Sequence, residues 1–179
     1  PASATAREDR RGMAPALNAL GDLAAAQAQI ELARRHHHDS LEMFRQLGER
    51  WDVTRVLTDL ANMDMRAGDY AAAERSLMEA LQTSRELGHQ RGVARRLELL
   101  AWCVGRQLRH PAAVRPAGAA AVIRQRIGVP SERADQQKLD AALADARLVL
   151  GGARYDAAWM EGQTETLDGV LLAASAPTA

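Results

Sequence analysis

Residues 47–88 read LGERWDVTRVLTDLANMDMRAGDYAAAERSLMEALQTSRELG, a stretch that opens and closes on Leu-Gly. Leu47-Gly48, Leu87-Gly88 and Ile127-Gly128 stand 40 residues apart. The register holds without gaps around those marks. Leu17, Leu57 and Leu97 align, as do Leu20, Leu60 and Leu100, then Ala33, Ala73 and Ala113, then Ser40, Ala80 and Ala120. A fixed period of this size marks a helical solenoid, in which each unit buries its apolar face only against its neighbours. The expected fold is therefore all-α, an α-solenoid of helix pairs. Such an architecture offers a surface for holding a partner.

Within the quoted period the apolar residues fall at helical spacing. A first helix carries Val53, Val56, Leu57, Leu60 and Met63 and stops at the turn pair Gly68-Asp69. A second carries Tyr70, Ala73, Leu77, Ala80 and Leu81 and stops at Gly88. The following unit repeats this with Val93, Leu97, Leu100, Ala101 and Val104, a turn at His110-Pro111 and an end at Gly128. Pro116 is expected to kink or delay its second helix. The preceding unit pairs a helix through Met13, Leu17, Leu20 and Leu23 with one from about Ile30 to Leu47, capped by Gly48 in a left-handed conformation. The boundaries that follow are 1–11 for a frayed N-terminal segment and 12–128 for three repeats (12–48, 49–88 and 89–128). Residues 129–179 form a tail of capping helices. Ser131 is the expected N-cap of the first of these, Gly151-Gly152 stops it, and two short helices around Tyr155–Trp159 and from Thr166 complete the chain.

Composition agrees. Of 179 residues 47% are hydrophobic but only 3% aromatic, so Leu, Ala and Val must build the core, which suits close-packed helices. The 23 basic and 23 acidic residues cancel. A net positive field for nucleic acid or an anionic membrane is thus absent, and neither is an expected direct partner. Cys103 stands alone, so no intrachain disulfide can form, and a reducing, cytoplasmic compartment is expected. No apolar run is long enough to span a membrane. The chain opens on Pro1 rather than Met and reads as part of something longer.

Motifs for chemistry are few. There is no phosphate-binding Gly-Lys-Ser/Thr loop and no readable Ser-His-Asp arrangement, so no catalytic residue and no cofactor is expected. In His36-His37-His38 successive side chains point about 100° apart on a helix and cannot converge on one ion. His37 is expected in the buried slot, its neighbours at the flank or surface, and no metal. Cys103 reads as a buried thiol, Met63 and Met65 as core and groove lining.

The small-large-small pattern of the second helices (Ala73, Leu77, Ala80), with Leu57, Leu60 and Ala61 before it, resembles tetratricopeptide repeats with lengthened helices. The large slot is degenerate in the outer units, where it holds His37 and Ala117. That resemblance places Asn18 and Asp22, then Arg55, Thr58, Asn62, Met65 and Arg66, then Arg95, Glu98, Trp102 and Arg106 on a concave groove. It implies a protein or peptide partner, with Asn62 gripping backbone, Arg66, Arg95 and Arg106 a carboxylate, and Trp102 as apolar anchor; the alternative is a solvated, ion-paired arginine face with Trp102 packed against the C-terminal cap. Asn18 and Arg55 complete the candidate set.

Residues 47–102 together with AAAVIRQRIGVP (119–130) and LADARLVLGGARYDAAWMEGQTETLDGVL (143–171) resemble the C-terminal repeat region of bacterial STAND-type signal-transduction ATPases, among them LuxR-type regulators. The likeness lies in an aromatic after the Leu-Gly helix, then Ala158-Trp159-x-x-Gly162, then a Leu-rich last helix. It implies a regulatory or sensor segment whose ATPase and DNA-binding parts lie elsewhere, binding a protein, a peptide or a small-molecule inducer and serving the ATPase domain of its parent chain. Asp52, where Gly is usual, and Pro116 depart from that pattern.

Overall fold

The structure is a computed structural model that describes residues 4–176, with side chains from Glu8 onward. Its described residues form nine α-helices and no strand. They are α1 (Ala4–Ala26), α2 (Ile30–Leu47), α3 (Arg50–Ala67), α4 (Tyr70–Glu86), α5 (Gln90–Arg106), α6 (His110–Ile127), α7 (Arg133–Leu150), α8 (Gly152–Thr164) and α9 (Leu167–Ser175). The 40-residue period is literal: α2, α4 and α6 begin at Ile30, Tyr70 and His110, and α3 and α5 at Arg50 and Gln90. The chain divides into two compact units, Pro1–Thr83 and Ser84–Ala179.

In the first unit α1 packs on α2 and α2 on α3. Leu41, Phe44 and Leu47 of α2 meet Val56, Leu57 and Leu60 of α3 in one cluster, joined by Ala14 and Ala80. Gly48 and Gly68 end α2 and α3 in the left-handed region (φ 75° and 82°), and the Gly48 N–H returns to the Arg45 and Phe44 carbonyls. Helix α1 differs from expectation twice. It begins at Ala4, inside the segment 1–11 that was expected to fray; Ala, Arg and Glu there are strong helix formers. Arg10 donates to Gln46 (2.6 Å), and Arg11 pairs with Glu49 (3.2 Å). Residues 1–3 lie outside the described ones. Its buried face is Ala14, Asn18, Gly21 and Ala24, while Met13, Leu20 and Leu23 are exposed. Leu57 and Leu60 are covered by the helix before them; at the matching Leu17 and Leu20 no described helix precedes.

In the second unit α5 packs on α6, and α7, α8 and α9 close over that pair. Pro116 does not stop α6, which runs on to Ile127 with Pro116 buried inside it. Pro111 sits in its first turn, where a missing N–H is harmless. The turn before it is Gln107–Arg109 rather than His110-Pro111. Two glycines seat α8 on α6. A Cβ on Gly162 would lie 2.1 Å from the Arg115 carbonyl oxygen, and one on Gly118 2.5 Å from that of Trp159. The glycine of the Ala-Trp-x-x-Gly motif is thus the point of closest backbone approach. Arg109 donates to the carbonyls of Ala174 and Ala176 at the end of α9, and Arg85 pairs with Asp168 at its start. Thr166 caps α9, accepting from the Gly169 N–H.

The core expectation holds: Leu57, Leu60, Leu77, Leu97 and Leu100 are all at most 2% exposed. His37 and Cys103 are buried, as are Met63 and Met65. Asp52 leaves α3 undisturbed and pairs with Arg55 at 3.0 Å.

Candidate functional site

Between α5, the turn after it and α7 the second unit holds a cleft of about 250 Å³. Trp102, Gly105, Arg106, Leu108 and His110 form one wall, and Ala141, Ala142, Asp145, Leu148 and Val149 the other. Its rim is apolar and open to water: Leu148 is 85% exposed, Leu108 74% and Val149 63%. Trp102 is half-buried, with the Lys138 ammonium 5.1 Å from its ring centroid. The indole therefore packs against the first capping helix and still lines the cleft.

Leu108 carries a backbone signal. Its φ is 62°, in the left-handed region, which costs a residue with a Cβ roughly 1–2 kcal/mol. One period earlier the same turn position is Gly68 (φ 82°), where that cost is absent. Two periods earlier Ala28 holds the same left-handed turn (φ 59°), so the conformation belongs to the repeat, and what distinguishes Leu108 is a large apolar side chain carried into water there.

Arg95 is engaged by the cap, with Nε on Asp135 at 2.8 Å and Nη2 within 3.8 Å of Glu132. Arg106 is exposed at the cleft beside Trp102. Glu98 is buried and held by Arg124 at two contacts of 2.8 Å, with the Ser131 hydroxyl donating at 2.5 Å. Ser131 is thus committed to Glu98, and Glu132 takes the N-cap position of α7 that Ser131 was expected to fill. In the first unit Asn62 is half-buried and Arg66 reaches the Ala25 carbonyl at 3.2 Å. Arg55 pairs with Asp52 and lies over the Phe44 ring. Thr58 and Met65 are buried, and Thr58 donates to the Thr54 carbonyl. Asn18, placed on the groove by the resemblance, is instead 2% exposed and lies against His37.

Of the expected set, the second unit brings Trp102 and Arg106 to one cleft and turns Arg95 to an internal ion pair. Sequence reasoning missed Leu108, Leu148 and Val149. The signal for Leu108 was present in the register, since it stands where the middle repeat has Gly68. Comparison with protein-family models and with curated proteins found no match to this chain.

Proposed function

We propose that this chain is a non-enzymatic, tetratricopeptide-like repeat module that binds a protein or peptide partner through the Trp102 cleft. The setting proposed with it is a regulatory or sensor segment of a larger bacterial transcription regulator or signalling ATPase. The observation that carries the binding reading is the exposed apolar rim of Leu108, Leu148 and Val149 around a half-buried indole. Tryptophan is enriched at the energetic centre of interfaces, and Arg106 and Asp145 beside it supply the polar fringe that sets register. The regulatory setting rests on the resemblance of the repeats and of the Ala158-Trp159-x-x-Gly162 tail.

The apolar lining also suits a small-molecule inducer, the second reading. Size argues against it. Sites for drug-sized ligands run about 300–1,000 Å³ and enclose most of the ligand. This cleft is smaller and opens at Leu148. A segment of peptide that rests on the rim and inserts one apolar side chain matches it better.

The test is selection of peptides against the immobilised chain, followed by calorimetric titration. Trp102→Ala should cost at least about 2 kcal/mol of affinity, the scale of an interface hot spot, with helicity unchanged. Leu148→Asp should act in the same direction. Peptides that bind both variants as well as the native chain would overturn the cleft as the docking site. A small apolar compound that raises the melting temperature of the native chain alone, with no peptide binding, would shift the reading to an inducer sensor.

A further inference from the structure

A second site lies in the first unit, at the slot His37 fills in place of the middle repeat's Leu77. His37 is 1% exposed, yet its Nε2 has no hydrogen-bond partner. An unpartnered polar atom at that depth is destabilising unless something satisfies it. The surroundings are built to keep it there. Gly21 stands on α1 where the later repeats have Ala61 and Ala101; a Cβ at that position would lie 2.6 Å from the imidazole. Helix α1 therefore makes room for a ring that a leucine-type slot would reject.

The polar groups around the ring define which nitrogen is open. Asn18 donates its amide Nδ2 to Asp22 Oδ2 at 3.3 Å, which turns its Oδ1 toward His37 Nδ1, also at 3.3 Å. An amide oxygen accepts only, so Nδ1 carries the proton and Nε2 keeps its lone pair. That lone pair stands 3.8 Å from Asp22 Oδ1. Asp59 of α3 completes the group, and the ligand atoms of Asp22, His37 and Asp59 all lie within 4.8 Å of one another.

We propose that Asp22, His37 and Asp59 form a site for one divalent transition-metal ion of the Zn²⁺ type, bound through one imidazole nitrogen and two carboxylates. Bonds of about 2.0–2.2 Å set ligands of one tetrahedral ion about 3.5 Å apart, so the group has to draw inward on binding. Asp22 can supply part of that movement, because its side chain is 60% exposed, and the same exposure gives an ion a way in. The neutral imidazole that a metal requires is the form favoured here. Burial holds His37 below its ordinary value of 6.5 against the opposing pull of Asp22, and the charges of Arg55, His36 and His38 act in the same direction as burial. Asn18 plays the part of the outer partner that commonly fixes a ligating histidine's tautomer, and it steadies a carboxylate ligand with the same amide. A nitrogen donor points to zinc and its transition-metal neighbours rather than to calcium or magnesium, which take oxygen. The Arg55 guanidinium opposes a cation, but it is engaged by Asp52 and the Phe44 face. Two carboxylates and a neutral imidazole balance a divalent charge, leaving a fourth position for water. An ion there would tie α1, α2 and α3 together. This site does not depend on the peptide cleft.

The experiment uses the full chain, freed of metal and of any affinity tag. Zn²⁺ is titrated against a chromophoric chelator, and Co²⁺ is followed by its visible absorption. One ion per chain is expected. Asp22→Asn, at an exposed position that should leave the fold intact by circular dichroism, is expected to weaken binding by at least about tenfold. Asp59→Asn should do the same, and His36→Ala with His38→Ala should leave the affinity unchanged. Absence of binding to the native chain overturns the proposal. So does binding that survives Asp22→Asn or disappears in the His36 and His38 double variant, since the ion would then sit on surface histidines.

Discussion

Asn18 and Glu98 occupy the same position of the 40-residue period, one in each unit, and both are buried. Around Glu98 the polar groups close on themselves: Arg124 meets both carboxylate oxygens and Ser131 adds a third contact. Around Asn18 they do not, for the amide orders His37 and Asp22 and leaves the imidazole Nε2 without a partner. The neighbouring slot differs in parallel. Where the first unit has His37, the second has Ala117, and the space is filled by Leu139 with Leu143 and Trp159 packed against it. One unit spends the register on a saturated ion pair and an apolar cap. The other leaves a buried imidazole nitrogen unsaturated. A saturated buried network serves folding; an unsaturated one calls for a ligand or another explanation.

The contrast can be broken most strongly at Glu98. Glu98→Ala strands the Arg124 guanidinium, and breaking a buried pair costs about 3–5 kcal/mol. Urea denaturation should show it; a loss below about 1 kcal/mol would mean that the pair behaves as a surface bridge.

The cap that fills the Ala117 slot can be loosened at Gly162. Gly162→Ala drives a methyl into the Arg115 carbonyl, which is backbone and cannot swing aside. Overpacking of this kind costs about 1–3 kcal/mol. Calorimetric melting should record a lower transition for this variant and none of that size for Gly152→Ala, whose Cβ would meet nothing within 4 Å.

Asn18→Ala probes the unsaturated group itself. In the metal-free chain it removes the acceptor for His37 Nδ1 and should cost about 1–3 kcal/mol, less than Glu98→Ala. Equal losses at the two positions would erase the distinction drawn between them.

The smallest effect is expected at the cleft turn. Leu108→Gly relieves a left-handed backbone and should raise stability by about 1 kcal/mol, while weakening the capture of any peptide that uses the rim. A gain in stability with undiminished binding would separate the strain from the function.

The fold was readable because its period is strict. The marks at Gly48, Gly88 and Gly128 and the aligned leucines give every helix from α2 to α6 to within a few residues. Helix α1 was found, but the buried face was misassigned. Its leucines match buried ones elsewhere only in register, and burial at Leu57 comes from Leu41 and Phe44, long-range neighbours that periodicity does not supply. Trp102 and Arg106 were legible as residues of one surface because a resemblance carried their positions. Arg95 went to Asp135, because α7 packs across it and a half-buried guanidinium takes the nearest carboxylate. The His37 group was opaque for a different reason. Its donors come from three helices, 15 and 22 positions apart in sequence, and no spacing rule for a single helix reaches that far. Three consecutive histidines cannot converge on one ion, but one of them can meet Asp22 and Asp59 from other helices.

The central functional claim is that partners dock at the Trp102 cleft, and mapping a bound peptide by nuclear magnetic resonance tests it most directly. With a selected peptide added to the isotope-labelled chain, the largest shifts should fall on the Trp102 indole N–H and on the methyl groups of Leu108, Leu148 and Val149. Shifts that leave these groups unmoved and gather elsewhere on the chain would contradict the account.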